Sequence, residues 1–226
     1  DWLRLIIMGV AGYAGAQGLQ FVGLYYLPAI TTTFLLNFTP IFVVLLGAVF
    51  LREFPAKIQV VGIVVALIGA YLYSLTPIHV SEIRGIFIVL ISGFAWAIYM
   101  IMTRNLQRTG KIGTLKLTTI TIGAGNIVLL VSEIILEGVP SINLSGWAII
   151  IWLSLVNTAF AFYLWNHTLK ALKAYELSIL QNTMLVQIAL LAWAFLGEQI
   201  TINMTLGITL VLLGVSIVQI YEIQFT

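Results

Sequence analysis

The chain has 226 residues, of which 61% are hydrophobic and only 8% are charged. In soluble domains about a quarter of the residues are charged. This chain has too few polar residues to cover the surface of a water-soluble globule, so lipid must surround it. The formal net charge of +2 comes from too few residues to indicate a nucleic-acid partner, and the sequence has no basic, aromatic patch to bind one. The chain has no cysteine, which excludes disulfides and thiolate metal sites, and we expect neither a metal nor a cofactor.

Apolar stretches of membrane-spanning length follow one another along the chain, with short polar breaks between them. A helix of about 20 apolar residues crosses about 30 Å of hydrocarbon. The pattern therefore predicts an all-α, polytopic membrane protein with eight spans, taken in chain order at residues 3–25, 29–51, 58–75, 85–103, 117–136, 147–168, 177–196 and 204–221.

The basic residues predict how these spans are oriented, because short cytoplasmic loops are enriched in Lys and Arg. If the first span runs outward, only Arg84 falls on the outer side. The other basic residues all fall on the inner side, namely Arg4, Arg52, Lys57, Arg104, Arg108, Lys111, Lys116, Lys170 and Lys173. We expect both ends of the chain to be cytoplasmic and the protein to lie in the plasma, or inner, membrane.

The sequence also repeats itself. A shift of about 145 residues aligns identical residues without a gap, including Trp2 with Trp147, Asn37 with Asn182, Glu53 with Glu198, Gly62 with Gly207, and Gly69 with Gly214. Spans one to three then correspond to spans six to eight, and the repeating unit has five helices. Because five is odd, the two copies have opposite orientations, as in secondary transporters. We expect residues 1–77 to be the last three helices of one unit and residues 78–226 a complete second unit, with the first two of ten helices missing.

Local motifs resemble those of a known family. Residues 92–99, Ser-Gly-Phe-Ala-Trp-Ala-Ile-Tyr, resemble the opening helix of the second repeat in EamA-type permeases of the drug/metabolite transporter superfamily. Arg52-Glu53, before a glycine-bearing helix, is similar to that family's helix ending in Gly-Glu. Two departures stand out: Arg52 replaces the family's Gly, and Leu185 stands where the first copy has Pro40. We therefore expect a kink in the first copy alone.

The resemblance implies a transporter in which spans one, two, four, six and seven line a central cavity. The implied cargo is a small organic metabolite, amino-acid-like or amphipathic and aromatic, moved by alternating access and in this family often exported. A nucleotide-sugar or sugar-phosphate carrier of the same superfamily is the alternative, and a channel or receptor is the alternative from another class. An enzyme is not expected, because neither His79 nor His167 has an acidic partner at membrane depth. The resemblance leaves a homodimer open.

Polar side chains within lipid are costly unless they face the bundle interior or a wet cavity, so those on the cavity spans are candidates for substrate contact. The same side chains could instead hydrogen-bond helices together, and Asn37 and Asn182 could form a symmetric bridge. The candidates are uncharged, which favours amphipathic solutes over phosphorylated anions. They are Tyr13, Gln17, Gln20, Asn37, Trp96, Tyr99, Asn157, Tyr163 and Asn182.

Overall fold

The computed structural model describes residues 2–74, 83–136, 138, 142–196 and 201–225. Glu198 and the expected boundary between residues 77 and 78 lie outside these ranges. The described residues form long helices joined by short turns. In chain order they are α1 (Trp2–Tyr26), α2 (Ala29–Leu36, Thr39–Leu46 and Gly47–Leu51), α3 (Lys57–Ser74), α4 (Ile83–Arg108), α5 (Thr114–Leu136), α6 (Leu144–Thr168), α7 (Ala174–Gln181, Met184–Leu191 and Ala192–Leu196) and α8 (Ile202–Phe225).

Seven of the described helices are long and apolar enough to cross a membrane, and the chain is an integral, multi-pass membrane protein. The exception is α3, which is apolar over the shorter stretch Lys57–Tyr73. A crossing at the third predicted span therefore stays a prediction. The other helices begin up to three residues before the predicted spans. The spans were predicted from runs of apolar residues, and such runs leave out polar residues in the first turn of a helix. The side chain of Asn143, for example, caps α6 by accepting a hydrogen bond from the Gly146 N–H at 2.8 Å.

Two helices, α2 and α7, are interrupted at equivalent places. The turn at residues 37–38 divides α2, and the turn at residues 182–183 divides α7. In both turns the backbone forms hydrogen bonds from residue i to residue i−3, as from Asn37 N–H to the Phe34 carbonyl at 3.1 Å and from Asn182 N–H to the Ile179 carbonyl at 3.1 Å. The expectation of a kink in the first copy alone is therefore wrong. Proline cannot be the cause, because α7 makes the same tight turn without one.

Helices α3 and α8 approach one another closely through glycines. They run antiparallel along one another, with Gly62 against Gly214 and Gly69 against Gly207. A Cβ atom built on Gly62 would lie 2.7 Å from the Gly214 carbonyl oxygen, and one on Gly69 would lie 2.7 Å from the Gly207 carbonyl oxygen. Only glycine at these positions lets the two backbones touch.

The apolar core lies where α2, α4 and α7 meet this helix pair. Val43, Ala97, Met100 and Ile179 are fully buried there. By contrast, α6 exposes most of its large apolar side chains, as a helix with one broad face toward lipid does. The arrangement leaves the inner faces of α1, α2, α4, α6 and α7 around a common space.

Candidate substrate cavity

A cavity of about 290 Å³ lies in that common space, and we call it the central cavity. Five helices contribute to its wall, and they are the helices at the five spans that the family resemblance implies. Its lining comprises Ala16, Gln17 and Gln20 of α1, Leu36 and Thr39 of α2, Ser92 and Trp96 of α4, Asn157, Ala161, Phe162 and Trp165 of α6, and Gln181 and Met184 of α7.

The lining of the central cavity is uncharged, and it has a polar part and an aromatic part. Gln17, Gln20 and Gln181 present amides, each of which can both donate and accept hydrogen bonds. Trp96, Phe162 and Trp165 form the aromatic part. Such a wall can bind a solute that has an apolar body and a few hydrogen-bonding groups.

Two wall segments are wound as π-helix, which widens the turn and redirects side chains. They are Val10–Gln17 of α1 and Leu153–Phe160 of α6, and they carry the cavity residues Gln17 and Asn157. Single π-helical turns inside α-helices occur frequently at functional sites.

A second cavity, of about 190 Å³, adjoins the first at the interruptions of α2 and α7, and we call it the junction cavity. Apart from Gln20, its lining consists of pairs related by the shift of about 145 residues. These pairs are Thr33 with Ser178, Leu36 with Gln181, Asn37 with Asn182, Thr39 with Met184, and Pro40 with Leu185. The cavity therefore lies between corresponding parts of the two halves of the chain.

Behind the aromatic wall, a buried hydrogen-bond network joins four helices. Its centre is the Tyr99 hydroxyl of α4, which lies 3.0 Å from the Tyr13 hydroxyl of α1 and donates to Asn166 Oδ1 of α6 at 3.2 Å. Asn166 Nδ2 in turn donates to Thr118 Oγ1 of α5 at 2.9 Å. Trp96 stacks on the Tyr99 ring, with 5.1 Å between ring centroids. The network thus holds a cavity-lining indole from behind.

The predicted site residues fall into three groups. Gln17, Gln20, Trp96 and Asn157 line the central cavity, and Gln20, Asn37 and Asn182 line the junction cavity. Tyr13 and Tyr99 belong to the network behind the wall and line neither cavity. Tyr163 stacks on His167 of the same helix and also lines neither cavity.

An ion pair joins the ends of three cavity helices on the side where the basic residues cluster. Arg104 Nε donates to Glu53 Oε1 at 3.0 Å, and Arg104 Nη1 donates to the carbonyls of Leu169 and Lys170 at 2.8 and 3.0 Å. Both side chains are about nine-tenths buried. Glu53 follows α2, Arg104 belongs to α4, and Leu169 follows α6. The pair therefore holds these three helix ends together.

Sequence reasoning missed the partners in these contacts. Asn166 and Thr118 give no signal beyond being polar residues in apolar helices, which is also true of residues that only pack. The position of Glu53 depends on Arg52, whose φ of 56° is left-handed. This is the position where the family carries Gly, so the departure noted in the sequence was a usable signal of a left-handed turn.

Comparison with known proteins identifies relatives of this chain among membrane transporters. An uncharacterized transporter of Bacillus subtilis (strain 168), YyaM, is 27% identical over 93% of this chain and 70% of its own length. An uncharacterized transporter of Archaeoglobus fulgidus is 29% identical over 96% of this chain and 78% of its own length. A protein of Streptantibioticus cattleyicolor named a probable terminal-alkyne amino-acid exporter is 27% identical over 88% of this chain and 66% of its own length.

A solved crystal structure superposes with a TM-score of 0.83 over 98% of this chain and 78% of its own, at 17% sequence identity, which supports the fold. The model of the EamA-like transporter family matches residues 1–75 and 83–220. That match covers nearly the whole chain, including every helix that lines the two cavities. The chain therefore belongs to the EamA-like transporter family.

Proposed function

We propose that this protein moves a small amphipathic organic solute, of the amino-acid-like class, across the plasma membrane by alternating access, in the direction of export. The observation that carries this proposal is the uncharged central cavity, with its polar part and its aromatic part, at the meeting point of five helices. Its amides can satisfy the few polar groups of such a solute, while its indoles and Phe162 cover the apolar part.

Charge distinguishes this proposal from transport of a sugar phosphate or a nucleotide sugar. A phosphate group carries up to two negative charges, and proteins bind it with Arg, Lys or several backbone N–H groups. Neither cavity has Lys or Arg among its lining residues in the described part of the chain. The relative named an amino-acid exporter is consistent with a cargo that carries less charge.

We further propose that the chain consists of two inverted copies of a five-helix unit, with residues 1–77 the end of the first and residues 78–226 the second. Three observations support it. The three segments of α2 begin and end at the residues that correspond to those of α7. The junction cavity is lined by corresponding pairs. The contact of Gly62 with Gly214 becomes that of Gly207 with Gly69 when the copies are exchanged.

Alternating access requires a contact that closes one side of the cavity and can separate, and the ion pair of Arg104 with Glu53 is a candidate for it. By the distribution of Lys and Arg it lies at the cytoplasmic end. It ties together the ends of α2, α4 and α6, each of which lines the central cavity. We propose that this pair closes the cytoplasmic side and separates when the cavity opens inward.

Transport is tested by reconstituting the protein in liposomes and measuring flux of apolar amino acids, their amines and sugar phosphates. We expect flux of an apolar amino acid, and its loss in Gln20→Ala, because Gln20 lines both cavities. If only sugar phosphates are transported, the proposed cargo class is wrong and the sugar-phosphate alternative is right. Flux that never saturates with solute concentration would indicate a channel.

Alternation is tested with single cysteines, since the sequence contains none. Gln17→Cys places a thiol in the central cavity wall, and Ser132→Cys places one on the outer surface of α5 as a control. Membrane-impermeant thiol reagents are applied from each side, with and without Glu53→Gln. We expect Glu53→Gln to increase labelling of Gln17→Cys from the cytoplasmic side and to leave the control unchanged. Equal labelling in both backgrounds would contradict the closing role.

A further inference from the structure

We propose that the junction cavity binds a carboxylate group of the transported solute, with Asn182 and Ser178 as the side chains that hold it. The inference rests on the proposed function, because it assigns one end of the same solute to the second cavity. It makes the cargo class more specific: an apolar group joined to a carboxylate.

The first observation is a pair of buried polar side chains that lack partners in the described part of the chain. Asn182 is 2% exposed and its Nδ2 has no acceptor, and Ser178 is 1% exposed and its Oγ has no partner. Both line the junction cavity. Leaving a buried donor unpaired costs about 1–3 kcal/mol, so such groups are retained where something else binds them.

The second observation is a difference between the two copies. Asn37, the counterpart of Asn182, donates its Nδ2 to the carbonyl of Thr33 at 2.7 Å. The counterpart of Thr33 is Ser178, yet Asn182 makes no such bond. The turn in α7 nevertheless forms with the same backbone hydrogen bonds as the turn in α2. The Asn182 amide is therefore not needed to hold the turn, and it remains free for a ligand.

The third observation is the electrostatic character of the two interruptions. The helical segments Thr39–Leu46 and Met184–Leu191 both begin at the junction cavity, since Thr39 and Met184 are among its lining residues. Several N–H groups at these turns are already bonded from residue i to residue i−3, as Leu185 N–H is to the Asn182 carbonyl at 3.2 Å, so the side chains of Asn182 and Ser178 supply the donors for an anionic group. No Asp or Glu lines the cavity among the described residues to repel one.

The two cavities together define the solute. They share Gln20, Leu36, Thr39, Gln181 and Met184, so a single molecule can extend through both. With its carboxylate between the interruptions, its apolar part would lie among Trp96, Phe162 and Trp165. The shared glutamine amides can accept hydrogen bonds from an amino group. An amino acid with an apolar or aromatic side chain has this distribution of groups.

The test compares three molecules that differ only at the carboxylate: phenylalanine, phenylalanine methyl ester and phenethylamine. Binding of each to the protein in lipid nanodiscs is measured by titration calorimetry. We expect phenylalanine to bind at least about tenfold more tightly than the other two, because both donors act on a charged acceptor only in the acid. If the ester or the amine binds as tightly as the acid, the carboxylate assignment is wrong and the proposed function stands. If none of the three binds or is transported, the proposed amino-acid-like cargo fails as well.

Variants then locate the carboxylate. Asn182→Ala and Ser178→Ala should each reduce the ratio of acid to ester affinity, and the nearly isosteric Asn182→Asp should remove or invert it by replacing a donor with an acceptor. Ser132→Ala, on the exposed face of α5 and outside both cavities, is the control, and it should leave this ratio at the wild-type value. A ratio unchanged in the Asn182 and Ser178 variants would overturn the assignment. If an Asn182 variant does not fold, Ser178→Ala and the wild-type comparison decide.

Discussion

Removing the guanidinium of Arg104 is the sharpest test of how the ends of α2, α4 and α6 are held together. The substitution Arg104→Gln keeps a long polar side chain but removes the charge. It breaks the bond to Glu53 and the two bonds to the carbonyls of Leu169 and Lys170. Because both partners of the ion pair are about nine-tenths buried, water cannot readily replace these bonds.

The size of the effect follows from this burial. Breaking a buried ion pair by removing one partner costs about 3–5 kcal/mol, because the other charge is left buried. Arg108 Nη1 lies 3.8 Å from the same carboxylate oxygen and compensates in part. We therefore expect about 3 kcal/mol, the lower end of that range. For a chain of this size, 1 kcal/mol shifts Tm by about 2–4 °C, so Tm should fall by about 6–12 °C.

The assay is thermal unfolding in a mild detergent, followed by circular dichroism. Arg84→Gln is the matched control, because Arg84 is exposed and its loss should change stability by no more than about 0.5 kcal/mol. In a double-mutant cycle, Glu53→Gln combined with Arg104→Gln should cost less than the sum of the two single changes. A Tm for Arg104→Gln within about 2 °C of the control, or strict additivity in the cycle, would refute the reasoning.

Three further changes test other parts of the fold, each by thermal unfolding. Arg52→Gly should raise stability by up to about 1 kcal/mol, because φ at this position is left-handed, whereas Arg52→Ala should not stabilise. Gly69→Leu should cost more than about 2 kcal/mol by forcing two backbones apart, while Gly123→Leu, with open space around it, should cost less than about 1 kcal/mol. Asn166→Leu should cost about 1–3 kcal/mol by leaving the buried Tyr99 hydroxyl without its amide partner, and an unchanged Tm would contradict the network.

Much of the fold could be predicted because lipid imposes simple rules on a sequence. Long apolar stretches have to be helical, since no water is present to bind their backbone groups, and the predicted spans overlap the described helices. The equivalence of Asn37 with Asn182 could be predicted, because the shift that aligns the two repeats places one on the other. The short turn that each asparagine begins was not, because its i to i−3 hydrogen bonds leave no mark in apolar pattern.

The site was predictable only in part, because a side chain's role depends on partners that sequence does not place. Tyr13 and Tyr99 were credible ligands for a solute, yet their hydroxyls bind each other behind the wall. Asn37 and Asn182 are identical residues in equivalent positions, and only the structure distinguishes the amide that is bonded from the one that is not. Arg104 was counted as one more cytoplasmic charge, whereas in the structure it is buried and paired with Glu53.

The glycine contacts between α3 and α8 have a consequence for motion. Backbone meets backbone there, the side chains of Ile217 and Val218 pack against Gly62, and Gln59 Nε2 donates to the Val218 carbonyl at 3.3 Å, so the two helices are held against one another along their length. The contact of Gly62 with Gly214 and that of Gly69 with Gly207 lie along the same antiparallel pair. We expect this helix pair to move as one rigid unit, because sliding or turning one helix against the other would disturb both contacts at once.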